Sequence, residues 1–233
     1  MRLQKYIANA GFCSRRKAEH YIQNGEVTVN GQTVTQLGIK IDPEGDKVEI
    51  AGHLIRPDQA LIYIMLNKPR GYITSCRHGN RKIVMDLIDI SERVYPIGRL
   101  DKDSTGLLLL TNDGRLHQRL AHPSFDHEKE YEVAVADPIT DDTLAILQQG
   151  VVIDDVKTRP ARTKRLSPTR FRIVLQEGRK RQIRRMVETV GNKVKDLHRI
   201  RVSGLTLGNL APSRWRYLTQ EEIKLLIRDG RET

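Results

Sequence analysis

Near the start of the chain, apolar residues fall at Leu3, Tyr6 and Ile7 and again at Ala18, Tyr21 and Ile22. Spacings of three and four place each set on one face of a helix. Gly11-Phe12-Cys13 separates the two predicted helices, Ser14 is an N-cap for the second, and Gly25 ends it. The period then shortens: Val27 and Val29 alternate with polar residues ahead of Asn30-Gly31, a two-residue hairpin signal, and Val34 lies on the far side. After Pro43-Glu44-Gly45 and the run 48–50, the polar stretch 52–59 reads as a linker. The pattern predicts a small two-helix module with its own sheet over residues 1–60, linker included, and a larger domain over 61–233.

In the larger domain, strand-like runs at 61–66, 107–111, 129–135 and 171–176 interleave with helical stretches at 115–121, 140–149 and 181–190. A last helix spans 219–228, with Thr219 and Glu222 at capping-box spacing. Short connections and irregular alternation of the two element types predict an α+β fold, a mostly antiparallel mixed sheet flanked by helices. The sequence shows no repeat and no low-complexity tract.

Charge narrows the partners. In 233 residues, 40 Lys and Arg outweigh 29 Asp and Glu for a formal net charge of +11, a balance that suits a polyanion such as RNA, DNA or anionic lipid. The stretch 157–201 alone holds 16 Lys or Arg against three acids, more than the whole excess, and this predicts a phosphate-binding face. The longest apolar runs, such as 61–66 and 107–110, fall far short of the roughly 20 residues that span a bilayer, so no membrane partner is expected. Two cysteines, Cys13 and Cys76, are too few for a disulfide framework and read as ordinary buried or half-buried thiols. The opening Met-Arg-Leu-Gln-Lys lacks the apolar core of a secretory signal, and a reducing cytoplasm is the expected location.

The densest chemical signal is Gly98-Arg99-Leu100-Asp101-Lys102-Asp103-Ser104-Thr105-Gly106, followed by an apolar run and Thr111-Asn112-Asp113-Gly114. It reads as a polar loop between two strands, with Gly98 and Gly106 permitting tight turns and two carboxylates set beside Arg99 and Lys102. A carboxylate among fixed cations stays ionised at neutral pH and serves as nucleophile or base; the same composition also fits an acidic turn neutralised by its neighbours. Arg15-Arg16-Lys17 opens the second helix, where cations oppose the helix dipole unless a phosphate is near. Lys68-Pro69 ends an apolar strand as an extended break and reads as a prop for the loop. By pattern alone Tyr131 is a strand tyrosine packed in the core. His117, His122 and His127 recur every five residues, which spreads them around a helix and argues against a metal site.

Ser14-Arg15-Arg16, followed by Gly25, Val27, Val29, Asn30 and Gly31, resembles the S4 RNA-binding domain. The loop at 98–106 resembles the catalytic motif of the pseudouridine synthases. Together with Asn67-Lys68-Pro69-Arg70-Gly71, Lys129-Glu130-Tyr131, the run Glu177 to Met186 (Glu-Gly-Arg-Lys-Arg-Gln-Ile-Arg-Arg-Met) and Tyr217-Leu218-Thr219, it is similar to the RsuA-type branch, ribosomal RNA uridine isomerases with an N-terminal S4 domain. The likeness runs over nearly the whole chain. It implies that Asp101 is the catalytic aspartate with Arg99 beside it, that Tyr131 faces the uracil, that Arg184 pairs with the Asp101 carboxylate, and that Ile183 forms part of an apolar pocket wall. RNA contacts are expected from Arg15, Arg16 and Lys17 in the S4-like module and from Arg179, Lys180, Arg181 and Arg185 in the basic stretch, with Lys68 also on the substrate side. On a helix, Arg181, Arg184 and Arg185 share one face.

The implied reaction adds no external atom, so no cofactor and no metal are expected. The implied partner is ribosomal RNA, of the large subunit by the Gln182-Ile183-Arg184-Arg185-Met186 wording with the small subunit as the alternative, and a monomer is expected. Two other readings compete. A non-enzymatic S4-type ribosome-assembly factor explains the charge but leaves the carboxylate loop, the Lys-Glu-Tyr strand and the Gln-Ile-Arg helix without a joint purpose. An S4-linked RNA methyltransferase requires a glycine-rich loop after an early strand, which this sequence lacks.

Overall fold

The computed structural model describes residues 1–57, 60–77, 79–121 and 127–228. Residues 1–62, with the short segments 90–94 and 112–114, form one compact unit. Its helices are α1 (Leu3–Asn9) and α2 (Arg15–Gln23), and the Ser14 hydroxyl accepts from the Lys17 amide at 3.2 Å as the N-cap. Leu3, Ile7, Ala18 and Ile22 are buried, as the helical spacing requires. Strands β1 (Val27–Val29) and β2 (Gln32–Thr33) join through Asn30 and Gly31 at φ +52° and +78°, the left-handed pair for which an Asn-Gly turn is suited. β3 (Val48–Ile50) pairs antiparallel with β1, and β4 (His53–Ile55) pairs with β3. The first half of the expected linker is therefore a strand; three residues with one inward side chain, Ile55, carry too little pattern to announce it. Residues 58 and 59 of that linker lie outside the described residues.

The second unit comprises 63–89, 95–111 and the chain from 115 onward. Its strands are β5 (Tyr63–Lys68), β6 (Tyr95–Ile97), β7 (Thr105–Thr111), β8 (Lys129–Val135), β9 (Val152–Ile153), β10 (Val156–Lys157), β11 (Arg162–Ser167), β12 (Arg170–Leu175), β13 (Val194–Val202), β14 (Leu205–Thr206) and β15 (Trp215–Tyr217). Nine of them form one sheet in the order β11-β12-β8-β13-β7-β5-β15, with β14 beside β13 and β6 on β7; β9 and β10 make a separate hairpin. Within this sheet β13 and β7 are parallel and the other pairs antiparallel. This is the mixed, mostly antiparallel α+β sheet expected from the sequence. The helices are α3 (Gly114–Ala121), α4 (Asp141–Gln149), α5 (Gln182–Thr189) and α6 (Gln220–Arg228). α4 and α5 bury Leu144, Leu147, Ile183, Met186 and Val187 with Phe171, Ile173 and Leu197 of the sheet; α3 and α6 bury Leu116, Leu120 and Leu226 with Met65, Leu107 and Leu109. Each such side chain taken from water contributes about 1.5–3 kcal/mol.

The periodicity misses β13, the strand between β8 and β7. Its sequence is rich in charge, and register shifts between Val194 and Asp196 and between Arg199 and Arg201 break the two-residue alternation that marks a strand. Further differences concern single residues. Gly106 stands inside β7 rather than in a turn. Cys13 is buried, but Cys76 is exposed, in the irregular chain after β5. His117 meets the Tyr95 ring edge-on at 5.2 Å, His127 is buried with Nδ1 3.0 Å from the Ser203 hydroxyl, and His122 lies outside the described residues. Among the described residues no helix is long and apolar enough to cross a membrane, and no three His, Cys, Asp or Glu side chains gather as metal ligands.

Candidate active site

The loop at 98–104 joins β6 to β7, and its backbone is pinned from several sides while its first carboxylate accepts no hydrogen bond among the described residues. Gly98 turns the chain at φ +66°. Leu100 packs inward, and the buried Thr74 hydroxyl both donates to the Leu100 carbonyl at 2.7 Å and accepts from its amide at 3.2 Å. The Ser104 amide donates to the Asp101 carbonyl at 3.1 Å and closes a turn around 101–104. The Gly71 amide donates to Lys102 O at 2.8 Å.

Lys68, at the end of β5, is completely buried, and its ammonium donates to the carbonyls of Ser104 at 2.8 Å, Pro69 at 3.1 Å and Lys102 at 3.4 Å. An ammonium has three donors, and all three go to backbone, so Lys68 is the prop of the loop and does not reach RNA. Its place among the substrate-side candidates is corrected on that ground. Burial drives its pKa down from 10.5 to about 8, with Asp103 and Asp101 opposing and Arg199 assisting. An unfolded lysine keeps its proton to higher pH, so between about pH 8 and 10.5 unfolding takes up a proton and this group's contribution to stability rises with pH. Urea titrations at about pH 7.5 and about pH 9.5 are expected to show a gain of about 1–2 kcal/mol in the wild type that Lys68→Met lacks. The same pH dependence in both proteins would refute the assignment.

Arg184, on α5, is also buried. Its Nη2 donates to the Asp103 carbonyl and its Nη1 to the Val194 carbonyl, both at 3.3 Å, while Nε is buried without a partner among the described residues. The expected ion pair with Asp101 is thus corrected: the guanidinium grips the backbone of the same loop and feels the Asp101 and Asp103 carboxylates through space. Burial, with Arg181 nearby, lowers its pKa against the pull of those carboxylates. Among the described residues the Asp101 carboxylate accepts no hydrogen bond and joins no ion pair, and it is half-buried in the wall of a cavity of about 800 Å³.

The same cavity is lined by Arg99, Lys129, Tyr131, Ile183 and Arg199, and by residues 176–182. Register explains the placement. Tyr131 on β8 stands directly opposite Arg199 on β13, and Arg199 is paired in turn with Gly106 on β7, two residues after the loop. Cross-strand partners point to one side of a sheet, so Tyr131 and Arg199 share the face beside Asp101. Ile183 reaches the cavity from the first turn of α5. Gln182, just before it, is buried and ties down the approach: its Nε2 donates to Glu177 at 2.6 Å and its Oε1 accepts from the Arg179 amide at 2.9 Å. Ser104, 1% exposed, lines the cavity with a hydroxyl that has no partner among the described residues. Arg199, Gln182, Ser104 and Thr74 are absent from the sequence-based candidates. Ser104 and Gln182 lie within the loop and helix motifs already singled out, but nothing beside Thr74 or Arg199 distinguishes these two from ordinary polar residues, because their positions depend on strand register and on a distant loop.

The basic stretch is less free than its composition suggests. β8 carries Glu130 and Glu132 on alternate positions, with Glu128 just ahead of it. Glu128 pairs with Arg162 at 2.7 Å and Arg201 at 3.1 Å, Glu130 with Arg201 at 2.8 Å, and Glu132 with Arg172 at 2.8 Å. Arg165 pairs with Asp141, and Arg185 with Asp154 on the β9–β10 hairpin. Arg179 donates to the Val156 and Lys157 carbonyls at 3.1 Å and sits 3.5 Å from Glu177. Two expectations are corrected here. Arg185 is directed to Asp154 and not to the cavity mouth, and Arg181 precedes α5 in a left-handed conformation, φ +54°, so it does not share a helix face with Arg184 and Arg185. Lys180 and Arg181 remain exposed at the cavity rim, without an ion pair among the described residues. In the other unit, Arg15, Arg16 and Lys17 are exposed at the start of α2, and Lys17 lies 5.3 Å from the Tyr21 ring centre.

Comparison with known proteins gives a concordant result. Residues 62–189 match the family model for RNA pseudouridylate synthase and residues 1–48 that for the S4 domain. The dual-specificity RNA pseudouridine synthase RluF of Escherichia coli K12 is 44% identical over 225 residues, 96% of this chain and 77% of the relative. The ribosomal large subunit pseudouridine synthase B of Bacillus subtilis is 41% identical over 97% of this chain and 95% of its own length. The ribosomal small subunit pseudouridine synthase A of Escherichia coli K12 is 38% identical over 97% and 100%. A crystal structure of a pseudouridylate synthase superposes with a TM-score of 0.72 at 32% identity, covering 97% of this chain and 99% of that one.

Proposed function

Because this chain belongs to the RNA pseudouridylate synthase family, in its S4-bearing branch, we propose that it isomerises a uridine of ribosomal RNA, in the large subunit, with Asp101 as the catalytic carboxylate. The observation that carries the assignment of Asp101 is its unpaired carboxylate in the cavity wall, on a loop whose backbone is held by Lys68, Thr74 and Arg184. A carboxylate held this way acts on a substrate without first breaking a protein contact.

Pseudouridine formation breaks the bond between uracil N1 and ribose C1′, turns the base, and joins C5 to C1′. Asp101 serves the first step by attack at C1′, by removing a ribose proton, or by addition to C6. Tyr131 and Ile183 supply flat and apolar surface for the base, and Arg99, Lys180 and Arg181 supply charge at the rim for the phosphates. A stacked uridine must be flipped out at a cost of a few kcal/mol, which phosphate contacts offset. A merely RNA-binding protein leaves the open carboxylate beneath that rim unexplained.

The large-subunit target is supported by the Gln-Ile-Arg-Arg-Met wording and by the 41% identity to the Bacillus subtilis relative. Mapping pseudouridine in ribosomal RNA from cells lacking the protein is expected to show one missing position in the large subunit. A complete pseudouridine set would overturn the function, and a gap in the small subunit would overturn the choice of target. For the S4 region, replacing Arg15, Arg16 and Lys17 together by alanine is expected to weaken RNA binding about tenfold and to lower the slope of log affinity against log salt by about 2. An unchanged slope would exclude these residues from phosphate contact.

A further inference from the structure

Arg199 differs from the other buried or half-buried arginines of its sheet. It is 4% exposed, and its Nε donates to the Leu107 carbonyl at 2.7 Å. Among the described residues its two Nη groups make no hydrogen bond and no ion pair, yet neither is sealed off, and the residue lines the cavity with Asp101 and Tyr131. Two positions along the strand, Arg201 has Glu128 and Glu130, and across the sheet Arg172 has Glu132. Buried cations are kept when something neutralises them. The protein provides carboxylate partners for the neighbours and none for Arg199, whose close surroundings include a second buried cation, Lys68.

The position of Arg199 is also rigid. Its backbone lies so close to Gly106 that a Cβ there would collide with the Arg199 carbonyl oxygen. With the backbone locked to β7 and Nε held by Leu107, the planar fork has little freedom to turn, and its remaining donors belong to a residue that lines the cavity.

Resting on the isomerase reading above, we propose that Arg199 is a substrate-contacting residue that holds one carbonyl oxygen of the flipped uracil and stabilises the negative charge the ring gains during the reaction. When the N1–C1′ bond breaks, its electron pair passes to the base, and the charge spreads from N1 over O2 and O4. The base turns in this charged state, C5 bonds to C1′, the C5 proton departs, and N1 regains a proton, so atoms and electrons balance without a co-reactant. A fixed guanidinium beside the sheet face of Tyr131 is matched to a carbonyl oxygen on which the charge of a flat anion collects, and its donors need no reorganisation as that charge develops.

The test uses full-length wild type, Arg199→Ala and Arg199→Lys on ribosomal RNA tritiated at uridine C5. The alanine variant is expected to lose about 10²- to 10³-fold in kcat with KM within about threefold, since the contact strengthens as charge appears. Added methylguanidinium is expected to restore at least about tenfold of that loss, and Arg199→Lys to fall between the two because it keeps the charge and loses the fork. A staple between β13 and β7 would lower the melting temperature without rescue of kcat, and that result overturns the proposal. So does a kcat within threefold of wild type. Should Arg199→Ala not fold, Arg199→Lys decides by itself: about a tenfold fall in kcat at constant KM supports the contact, and an unchanged kcat removes it. An inactive wild type refutes the isomerase reading and this inference with it, whereas an active wild type with unaffected variants refutes the inference alone.

Discussion

Asp101→Asn is expected to abolish release of hydrogen from uridine C5 in ribosomal RNA, with turnover down by at least about 10³-fold, while RNA affinity stays within a few fold. The carboxamide has nearly the shape of the carboxylate but neither attacks carbon nor takes a proton at neutral pH. The loop has no reason to move, because Lys68, Thr74, Gly71 and Arg184 all hold its backbone and none of them holds the Asp101 side chain. Asp101 also offsets the buried charges of Lys68 and Arg184 through space, so stability is expected to fall, by no more than about 1 kcal/mol. Release by the asparagine variant at the wild-type rate would remove Asp101 from the chemistry. A large loss of stability would show instead that the carboxylate is a structural element of the loop.

Gly106→Ala is expected to be the most damaging single methyl in the second unit. Gly106 has φ +103°, and a Cβ built on it would collide with the Arg199 carbonyl oxygen and lie 2.7 Å from the Arg199 amide nitrogen. Both obstacles are backbone of β13, the strand that pairs in parallel with β7 at this position, so no rotamer change relieves the contact. The alanine variant must part the two strands or shift the register, at a cost of about 4 kcal/mol or more, and loss of turnover follows because the loop carrying Asp101 ends two residues earlier. Gly98→Ala is the control. It also has positive φ, +66°, but nothing lies within 4 Å of a Cβ there, so only the backbone strain of about 1–2 kcal/mol applies. Urea unfolding of the two variants is expected to separate them by at least about 2 kcal/mol. Equal stabilities would mean that the β7–β13 approach is not tight in solution.

Gly106 also shows where reading the chain stops. As a letter it signals a turn, and the preceding polar loop encourages that reading. In the fold it is a strand residue whose missing side chain allows β13 to approach, and β13 is the strand that periodicity overlooks. The same holds for Lys68. Its proximity to proline marks a break after a strand, which is local and visible. That its ammonium collects three carbonyls, two of them more than thirty residues away, is not. The basic stretch errs in the other direction. Summed along the chain it promises a phosphate-binding face, but strand pairing sets the Glu128, Glu130 and Glu132 carboxylates against Arg162, Arg172 and Arg201, leaving only part of that charge for RNA.

Local rules suffice wherever a residue's partners are its own neighbours in sequence. The α1–α2 pair, the Ser14 cap, the Asn30-Gly31 hairpin and the Thr219–Glu222 capping box all follow from spacings of two to four residues, and the polar loop around Asp101 is visible as a motif. Long-range pairing decides the rest: that Arg184 grips the Asp103 carbonyl instead of the Asp101 carboxylate, that Tyr131 and Arg199 stand side by side, and that Arg185 turns toward Asp154. Those outcomes depend on register between strands far apart in the chain, and a shift of one residue turns every side chain to the opposite face. Composition and spacing carry no such register, so they reveal the loop and its carboxylate but not the arginine of β13 that lines the same cavity.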